Sequence, residues 1–277
     1  MAAFFTIVVV ALNPGEKLKQ TLHSALSQSE PSLRIIVKDA GSKDGSVAAA
    51  RAELEEEQRI TWITRQDAGI YDGMNQALDA MGDPGEGVVY FLNCGDLLHD
   101  GQVLLRVKER IEQARKEAGI EGQPGIYYGD VVESRSGQRV AANPRMDRFA
   151  CFRNVPNHQA LFYDARLMCA ERFDTKWRVR GDYEQFLRCV LEKKVRAVPL
   201  GITICDYEGG GFSETPRGRE ISAAEHRQIT GRYYSRGERF RYRLYLMLTL
   251  QPLRRRLADS PLTAGIYHKI RSGILKA

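Results

Sequence analysis

The sequence predicts an α/β domain in which a mostly parallel sheet carries helices on both faces, followed by a basic helical extension at the C-terminus. Three observations predict it. Apolar runs alternate with helix-length amphipathic segments through the first half of the chain. The runs are apolar at successive positions, as strands buried on both faces are. Polar punctuation falls just beyond them, where open α/β sheets bind ligands.

Taken in order, "FFTIVVVAL" is the first strand and "EKLKQTLHSALSQS" the first helix, followed by strand "LRIIVKD" and helix "SVAAARAELEEE". Strand "ITWITR", helix "IYDGMNQALDAM", strand "GVVYFLN" and helix "QVLLRVKERIEQARKEA" continue the alternation. The polar breaks are Asn13-Pro14-Gly15, Asp39 to Ser46, Asp67 to Asn75 and Asn93 to Asp96. "GIYYGDVVESRSGQRVAA" then reads as two short strands around Ser136-Gly137. Beyond it come "NHQALFYDARL", a helix "DYEQFLRCVLEKK" and a strand "RAVPLGITICDYE" that ends in three glycines. From about Ser222 the pattern is helical, with Phe240, Leu244, Met247 and Leu248 on one face.

The chain has 277 residues, of which 43% are hydrophobic, enough for one large domain with an extension. Its five cysteines, Cys94, Cys151, Cys169, Cys189 and Cys205, are odd in number and lack the paired spacing of zinc sites, so they read as reduced thiols of a cytosolic protein. "MAAFFTIVVVAL" lacks the basic start and small-residue cleavage site of a signal peptide and is too short to span a bilayer. The net charge of +6 sits at one end. From Arg232 onward eleven basic residues face only Glu238 and Asp259, which leaves the preceding part about three charges negative.

Several residues admit two readings. Asp96 ends the strand "VVYFLNCGD" either as an ordinary turn residue or as a carboxylate delivered to a divalent cation. Asp39 either belongs to a turn or accepts from a base N–H or ribose hydroxyl. Asp182 either caps a helix or acts as a general base, with Glu184 as second choice. His158 is a structural histidine, a metal ligand, a proton shuttle or a substrate contact. The glycines of "YEGGGFS" are a flexible loop or let backbone amides approach a phosphate. Neither GxGxxG nor a Walker pattern is present.

The order of "TIVVVALN", "VKDAGSKDGS", "QDAGIYDGMNQAL", "VVYFLNCGD", "NHQALFY" and "GDYEQFLR" resembles the inverting glycosyltransferases of family 2, especially bacterial enzymes of colanic-acid, O-antigen and exopolysaccharide assembly. The resemblance runs from Phe5 to about Ser213 and implies a GT-A fold, a Rossmann-like sheet. It implies a catalytic domain over 1–215, with a nucleotide-sugar half at 1–100 and an acceptor and catalytic half at 101–215, and places the extension at 216–277. It implies that Asp39 binds the nucleotide base, and that Asn13, Asp67, Gly69, Tyr71, Asp72 and Asn75 lie along the donor. Asp96 would be the last acidic residue of a DxD-type motif holding Mg²⁺ or Mn²⁺. Cys94-Gly95-Asp96 has one carboxylate where many members have two or three. Asp182 matches the family's base, Gly210, Gly211 and Ser213 match its mobile loop beside the diphosphate, and His158, Gln159 and Glu184 would line the acceptor side.

The implied partners are a nucleotide sugar, UDP-linked by family expectation, and a glycan acceptor on a polyprenyl diphosphate. The basic extension, with Tyr233, Tyr234, Tyr242, Tyr245 and Leu246, fits attachment to anionic lipid at the inner face of the cytoplasmic membrane, each basic residue contributing about 1 kcal/mol. No nucleic-acid motif accompanies the charge. Two rival readings are a non-catalytic nucleotide-sugar-binding scaffold and a nucleotidyltransferase. "LNPGEK" is a poor triphosphate cradle for the latter.

Overall fold

The computed structural model describes residues 3–119 and 122–249. In chain order the elements are β1 (Phe5–Ala11), α1 (Lys17–Leu26), β2 (Leu33–Asp39), α2 (Ser46–Glu53), β3 (Ile60–Thr64), α3 (Ile70–Asp79), β4 (Val88–Phe91), β5 (Leu97–Leu98) and α4 (Val103–Ala118). There follow β6 (Gly125–Glu133), β7 (Gln138–Val140), α5 (Arg148–Arg153), β8 (Leu161–Asp164), α6 (Ala165–Ala170), α7 (Gly181–Leu187), β9 (Arg196–Tyr207), α8 (Pro216–Tyr233) and α9 (Arg236–Leu248). Short 3₁₀ turns cover His158–Ala160 and Phe212–Glu214.

Among the described residues the strands form one nine-stranded sheet in the order β3-β2-β1-β4-β8-β6-β9-β5, with β7 on β6. β3, β2, β1 and β4 run parallel. Their carboxyl ends therefore share one edge, and that edge carries Asn13, Asp39, the loop from Arg65 and the loop from Asn93. The parallel run ends at β8, which is antiparallel to β4 and β6. β9 returns parallel to β6, and the two-residue β5 pairs antiparallel with its far end.

The core explains the apolar runs. Phe5, Ile7, Val8 and Val9 of β1 and Ile35, Ile36 and Val37 of β2 are buried on both faces of the sheet. Leu18, Leu22 and Ala25 of α1 and Val103, Leu104, Val107 and Ile111 of α4 pack into the same cluster. These helices bury positions three and four apart, as amphipathic helices do.

Two elements differ from the sequence expectation. The helix predicted through "DYEQFLRCVLEKK" stops being α-helical at Leu187 and continues as a π-helical turn, Arg188–Glu192. Arg188 Nη1 and Lys193 Nζ, five residues apart, both reach Glu171, at 2.8 and 2.6 Å. A wider turn brings residues at that spacing to one side. The second difference is β5, too short to show a strand pattern in sequence and formed only because β9 offers it an edge.

The chain divides into two compact units, Met1–His226 and Arg227–Ala277, with the division inside α8. In the second unit α9 begins with a capping box, Ser235 with Glu238. It exposes Phe240, Leu244, Tyr245, Met247 and Leu248. The predicted basic residues Arg254, Arg255, Arg256, Lys269, Arg271 and Lys276 lie outside the described residues. Among the described residues no helix is long and apolar enough to cross a membrane.

Candidate active site

At the end of β1 the chain turns through Asn13 in the left-handed region, φ 48°. This conformation is open to Asn because its short amide bonds locally. Asn13 donates its N–H to Ser42 Oγ at 2.8 Å and accepts from the Lys43 N–H at 2.8 Å. The two loops are thereby tied together. Asp39, buried at the end of β2, accepts from the Ser42 N–H and hydroxyl through Oδ1 alone, at 2.9 and 2.6 Å. No hydrogen bond is made by its Oδ2 among the described residues, so one carboxylate oxygen is available to a ligand.

The next loop rests on a buried cation that the sequence reading passed over. Lys38 is fully buried and forms an ion pair with Asp67. Asp67 also accepts from the Gly69 N–H at 3.1 Å and so shapes the entry to α3. Asp72 accepts from the Ala68 N–H at 2.9 Å and from Gln76 at 3.1 Å. Asn75 gives both ends of its amide to the backbone of Phe173, at 2.9 and 3.1 Å, and is not among the residues lining the pocket. These residues hold the loops beyond β2 and β3 in place, and Lys38 within "LRIIVKD" was the one signal of it in sequence.

A small pocket, open to solvent, lies beside this loop, lined by Ile70, Tyr71, Met74, Phe91, His158, Tyr163, Phe173 and Asp182. An apolar wall with a few convergent polar groups is the usual make-up of a small-ligand site. Asp182, at the start of α7, is its carboxylate. The Tyr71 hydroxyl lies 3.0 Å from Asp182 Oδ1 and 2.8 Å from the Val179 carbonyl. Burial pushes the Tyr71 phenol well above its ordinary value, with the Asp182 charge adding to the effect, so Tyr71 is a fixed donor. His158 Nδ1 lies 3.8 Å from Asp182 Oδ2. On its other side His158 Nε2 lies 2.7 Å from Asn93 Nδ2. Glu184 is 1% exposed, has Arg188 Nε at 3.5 Å and is likewise absent from the pocket lining.

Asp96 is reached through the residue next to His158. It is 4% exposed, accepts from Gln159 Nε2 at 3.0 Å through Oδ2, and accepts from the Glu208 N–H at 3.0 Å through Oδ1. Burial raises its carboxyl above the ordinary range, against these two hydrogen bonds and His158, while the Glu208 charge adds to the rise. Asp96, Gln159, His158 and Asp182 thus form one continuous run of contacts, although 86 residues separate the ends, from position 96 to position 182. Gly209 and Gly210 follow with φ of 75° and 77°. The Gly210 N–H is bonded to Glu214 Oε2 at 2.8 Å, and Ser213 lies in the turn Phe212–Glu214.

Among the described residues no three His, Cys, Asp or Glu side chains converge on one point. The residues present nonetheless fit a divalent cation. Mg²⁺ bound with nucleotides commonly takes one or two carboxylates and completes its shell with phosphates and waters. Two buried amide oxygens have no hydrogen-bond partner, Gln159 Oε1, on the side chain that bonds Asp96, and Asn93 Oδ1, at the start of the Asp96 loop. They are hard donors of the kind such ions prefer.

A half-parallel sheet with loops gathered at one edge, and a carboxylate-bearing pocket beside them, is the layout of a GT-A glycosyltransferase. Residues 6–169 match the pattern described as glycosyl transferase family 2, and the chain belongs to that family. It is 27% identical over 218 residues to a "PGL/p-HBAD biosynthesis glycosyltransferase" of Mycobacterium tuberculosis, covering 77% of this chain and 80% of the relative. The mannosyltransferase PcManGT of Pyrobaculum calidifontis, solved with GDP-Man and Mn²⁺, superposes with a TM-score of 0.61 at 16% identity over 100% of this chain and 81% of its own. Staphylococcus aureus TarS 1-349 with UDP-GlcNAc gives 0.59 at 14% identity over 83% and 71%. These likenesses show the GT-A fold.

Proposed function

We propose that the chain transfers a sugar from a nucleoside diphosphate sugar to an acceptor hydroxyl with inversion, Asp182 acting as base. The observation that carries this reading is the placement of Asp182. Its carboxylate borders an apolar pocket, held by Tyr71 and His158, one contact run away from Asp96. An apolar wall suits the C–H face of a sugar ring, and a carboxylate beside it suits a hydroxyl that must lose its proton.

In this mechanism Asp182 takes the acceptor's hydroxyl proton as the oxygen bonds to the anomeric carbon from the face opposite the departing diphosphate. The Tyr71 hydroxyl holds the carboxylate in one orientation, and the His158 ring stands beside it. Asp39 Oδ2 accepts from the nucleotide base, and Asn13, Asp67, Gly69 and Asp72 shape the donor loops. The amides of Gly210 and Gly211, with Ser213, turn toward the diphosphate once Gly210 leaves Glu214. Asp96 would hold Mg²⁺ or Mn²⁺, and when bound that ion neutralises the charge on the leaving group. UDP is the nucleotide we assign, in keeping with the UDP-GlcNAc bound by TarS, and the GDP-Man of PcManGT makes GDP the comparison to run.

We assign the acceptor as a polyprenyl-diphosphate-linked glycan of bacterial surface polysaccharide synthesis, met at the inner membrane face by a domain extending from about residue 216. Support comes from α9, which carries Arg236, Arg239, Arg241 and Arg243 together with its exposed apolar side chains.

The test is a screen of sugar nucleotides for release of nucleoside diphosphate with Mn²⁺ or Mg²⁺ and a lipid-linked acceptor extract. Wild type is compared with Asp182→Asn and Asp96→Ala. Turnover with one donor, reduced about 10²-fold or more by Asp182→Asn, is the expected result. Equal turnover in all three proteins would remove both assigned roles. Nucleotide-sugar binding without turnover would favour the scaffold reading. Sedimentation with anionic vesicles, weakened by salt, tests the membrane assignment.

A further inference from the structure

Asp96 is the one carboxylate of Asn93-Cys94-Gly95-Asp96, but a second carboxylate stands at the same corner of the sheet. Leu97 of β5 pairs with Asp206 of β9, which brings Glu208 to the Asp96 loop across 112 residues of sequence. The backbone of Glu208 bonds Asp96, and its side chain reaches along the loop. A Cβ added to Gly95 would land on Glu208 Oε2, well inside van der Waals contact. Gly95 also has φ +100°, a conformation that side chains rarely adopt. A side chain at 95 would have to displace the Glu208 carboxylate, which stands directly over Gly95.

An independent observation points to a ligand here. Gln159 is 3% exposed and held beside Asp96 through Nε2, and its Oε1 is buried with no partner. A buried acceptor left unpaired is costly, so native proteins keep few of them. Asp96, Glu208 and the Gln159 amide oxygen are hard oxygen donors of the kind that Mg²⁺ and Mn²⁺ take.

We propose that Glu208 is the second carboxylate of the divalent-cation site, supplied from the end of β9 beside Gly95. The inference rests on the donor chemistry proposed above but concerns cation binding, which needs no turnover. Lys17 is the built-in competitor. Its Nζ is 2.6 Å from Glu208 Oε2, and the two side chains are 50% and 39% exposed. An exposed pair of this kind is weak and exchangeable. When a cation takes Glu208, Lys17 is released beside it as a free positive charge, suited to a phosphate oxygen.

The experiment is a Mn²⁺ titration of the full chain, reading free ion by electron paramagnetic resonance, with Mn²⁺ alone and with UDP or GDP present. Glu208→Gln, Glu208→Asp, Asp96→Asn and Lys17→Met are compared with wild type, and each variant's melting curve is recorded. Glu208→Gln is expected to weaken Mn²⁺ binding about tenfold or more, with Glu208→Asp intermediate. Lys17→Met is expected to strengthen binding of Mn²⁺ alone, because it removes the competitor. A purely structural Lys17–Glu208 pair would predict the opposite sign, with both variants weakened alike. If Asp96→Asn loses Mn²⁺ while Glu208→Gln and Lys17→Met match wild type, the role of Glu208 is overturned and the donor-site reading stands. If wild type binds no Mn²⁺ under any of these conditions, the cation site itself is overturned, whatever the transfer assay shows.

Discussion

Replacing Gly181 with alanine tests whether Asp182, the base proposed above, is held by packing. A Cβ at 181 would lie 2.7 Å from Tyr71 Cδ2, 2.7 Å from Cε2 and 2.9 Å from Cζ. Carbon atoms pack best at about 3.5–4.0 Å, so the ring must withdraw by about 1 Å. It has little space to do so. Tyr71 is 8% exposed, and its ring stacks at a tilt on Phe173, with centroids 5.2 Å apart. Overpacking of this kind costs about 1–3 kcal/mol, which for a unit of this size lowers Tm by about 2–12 °C. A shift of about 1 Å also stretches the hydroxyl's contacts with Asp182 and Val179 beyond hydrogen-bond range. Misplacement by about 1 Å at a reacting group lowers kcat by about 10²-fold. The assay is a pair of measurements, thermal unfolding and steady-state turnover, on Gly181→Ala, Tyr71→Leu and the double variant. Because the smaller leucine removes the clash, the two substitutions should be clearly non-additive in stability, by about 1 kcal/mol or more. Wild-type Tm and turnover in Gly181→Ala, or strictly additive costs, would refute the claim that the ring of Tyr71 is wedged between Gly181 and Phe173.

Three further outcomes follow from the same geometry. Lys38→Met should destabilise the fold by about 3–5 kcal/mol in urea unfolding, because Asp67 then loses the buried cation it faces, and adding Asp67→Leu should recover much of the loss. Asp96→Asn should be more stable than wild type at neutral pH by about 0.5–2 kcal/mol while losing cation binding. Burial raises the folded pKa of Asp96 above its unfolded value near 3.9, so the folded state binds more protons across that window. Stability contributed by this group therefore falls as pH rises through the window, and the difference between wild type and Asp96→Asn should widen over the same range. A difference that narrows there would be the wrong sign. Finally, burial pushes the Cys94, Cys151 and Cys189 thiols up to about 12. Site-resolved iodoacetamide labelling at about pH 8 should run about 10³-fold slower than for a thiol of ordinary pKa near 8.5 and recover on unfolding.

The fold was largely legible because its signals are local. β1, β2 and β4 are largely buried on both faces, so their sequences are mostly apolar, and the helices between them alternate with the right period. What stayed hidden were elements defined by their neighbours. β5 is two residues long and among the described residues pairs only with β9, and the π-helical turn after Leu187 accompanies the ion pairs of Arg188 and Lys193 with Glu171. No window of sequence contains those partners.

The site divides the same way. Asp39, Asp96 and Asp182 stand out in sequence because each follows a strand or opens a helix, and the structure brings Asp182 together with His158 and Tyr71 at one pocket. Asn75 and Glu184 belong to the same motifs but are held by Phe173 and Arg188, since a motif records which residues occur together and not which way each side chain turns. Lys38 and Glu208 had no motif. A lysine inside an apolar strand becomes meaningful only when Asp67, 29 residues on, closes over it. Glu208 becomes meaningful only when Gly95, on a loop from the other half of the sheet, leaves it a space. A motif with one carboxylate is therefore no measure of the charge at its corner of the fold: a second can arrive along a strand that the motif does not contain, and here Glu208, just after β9, stands beside Gly95.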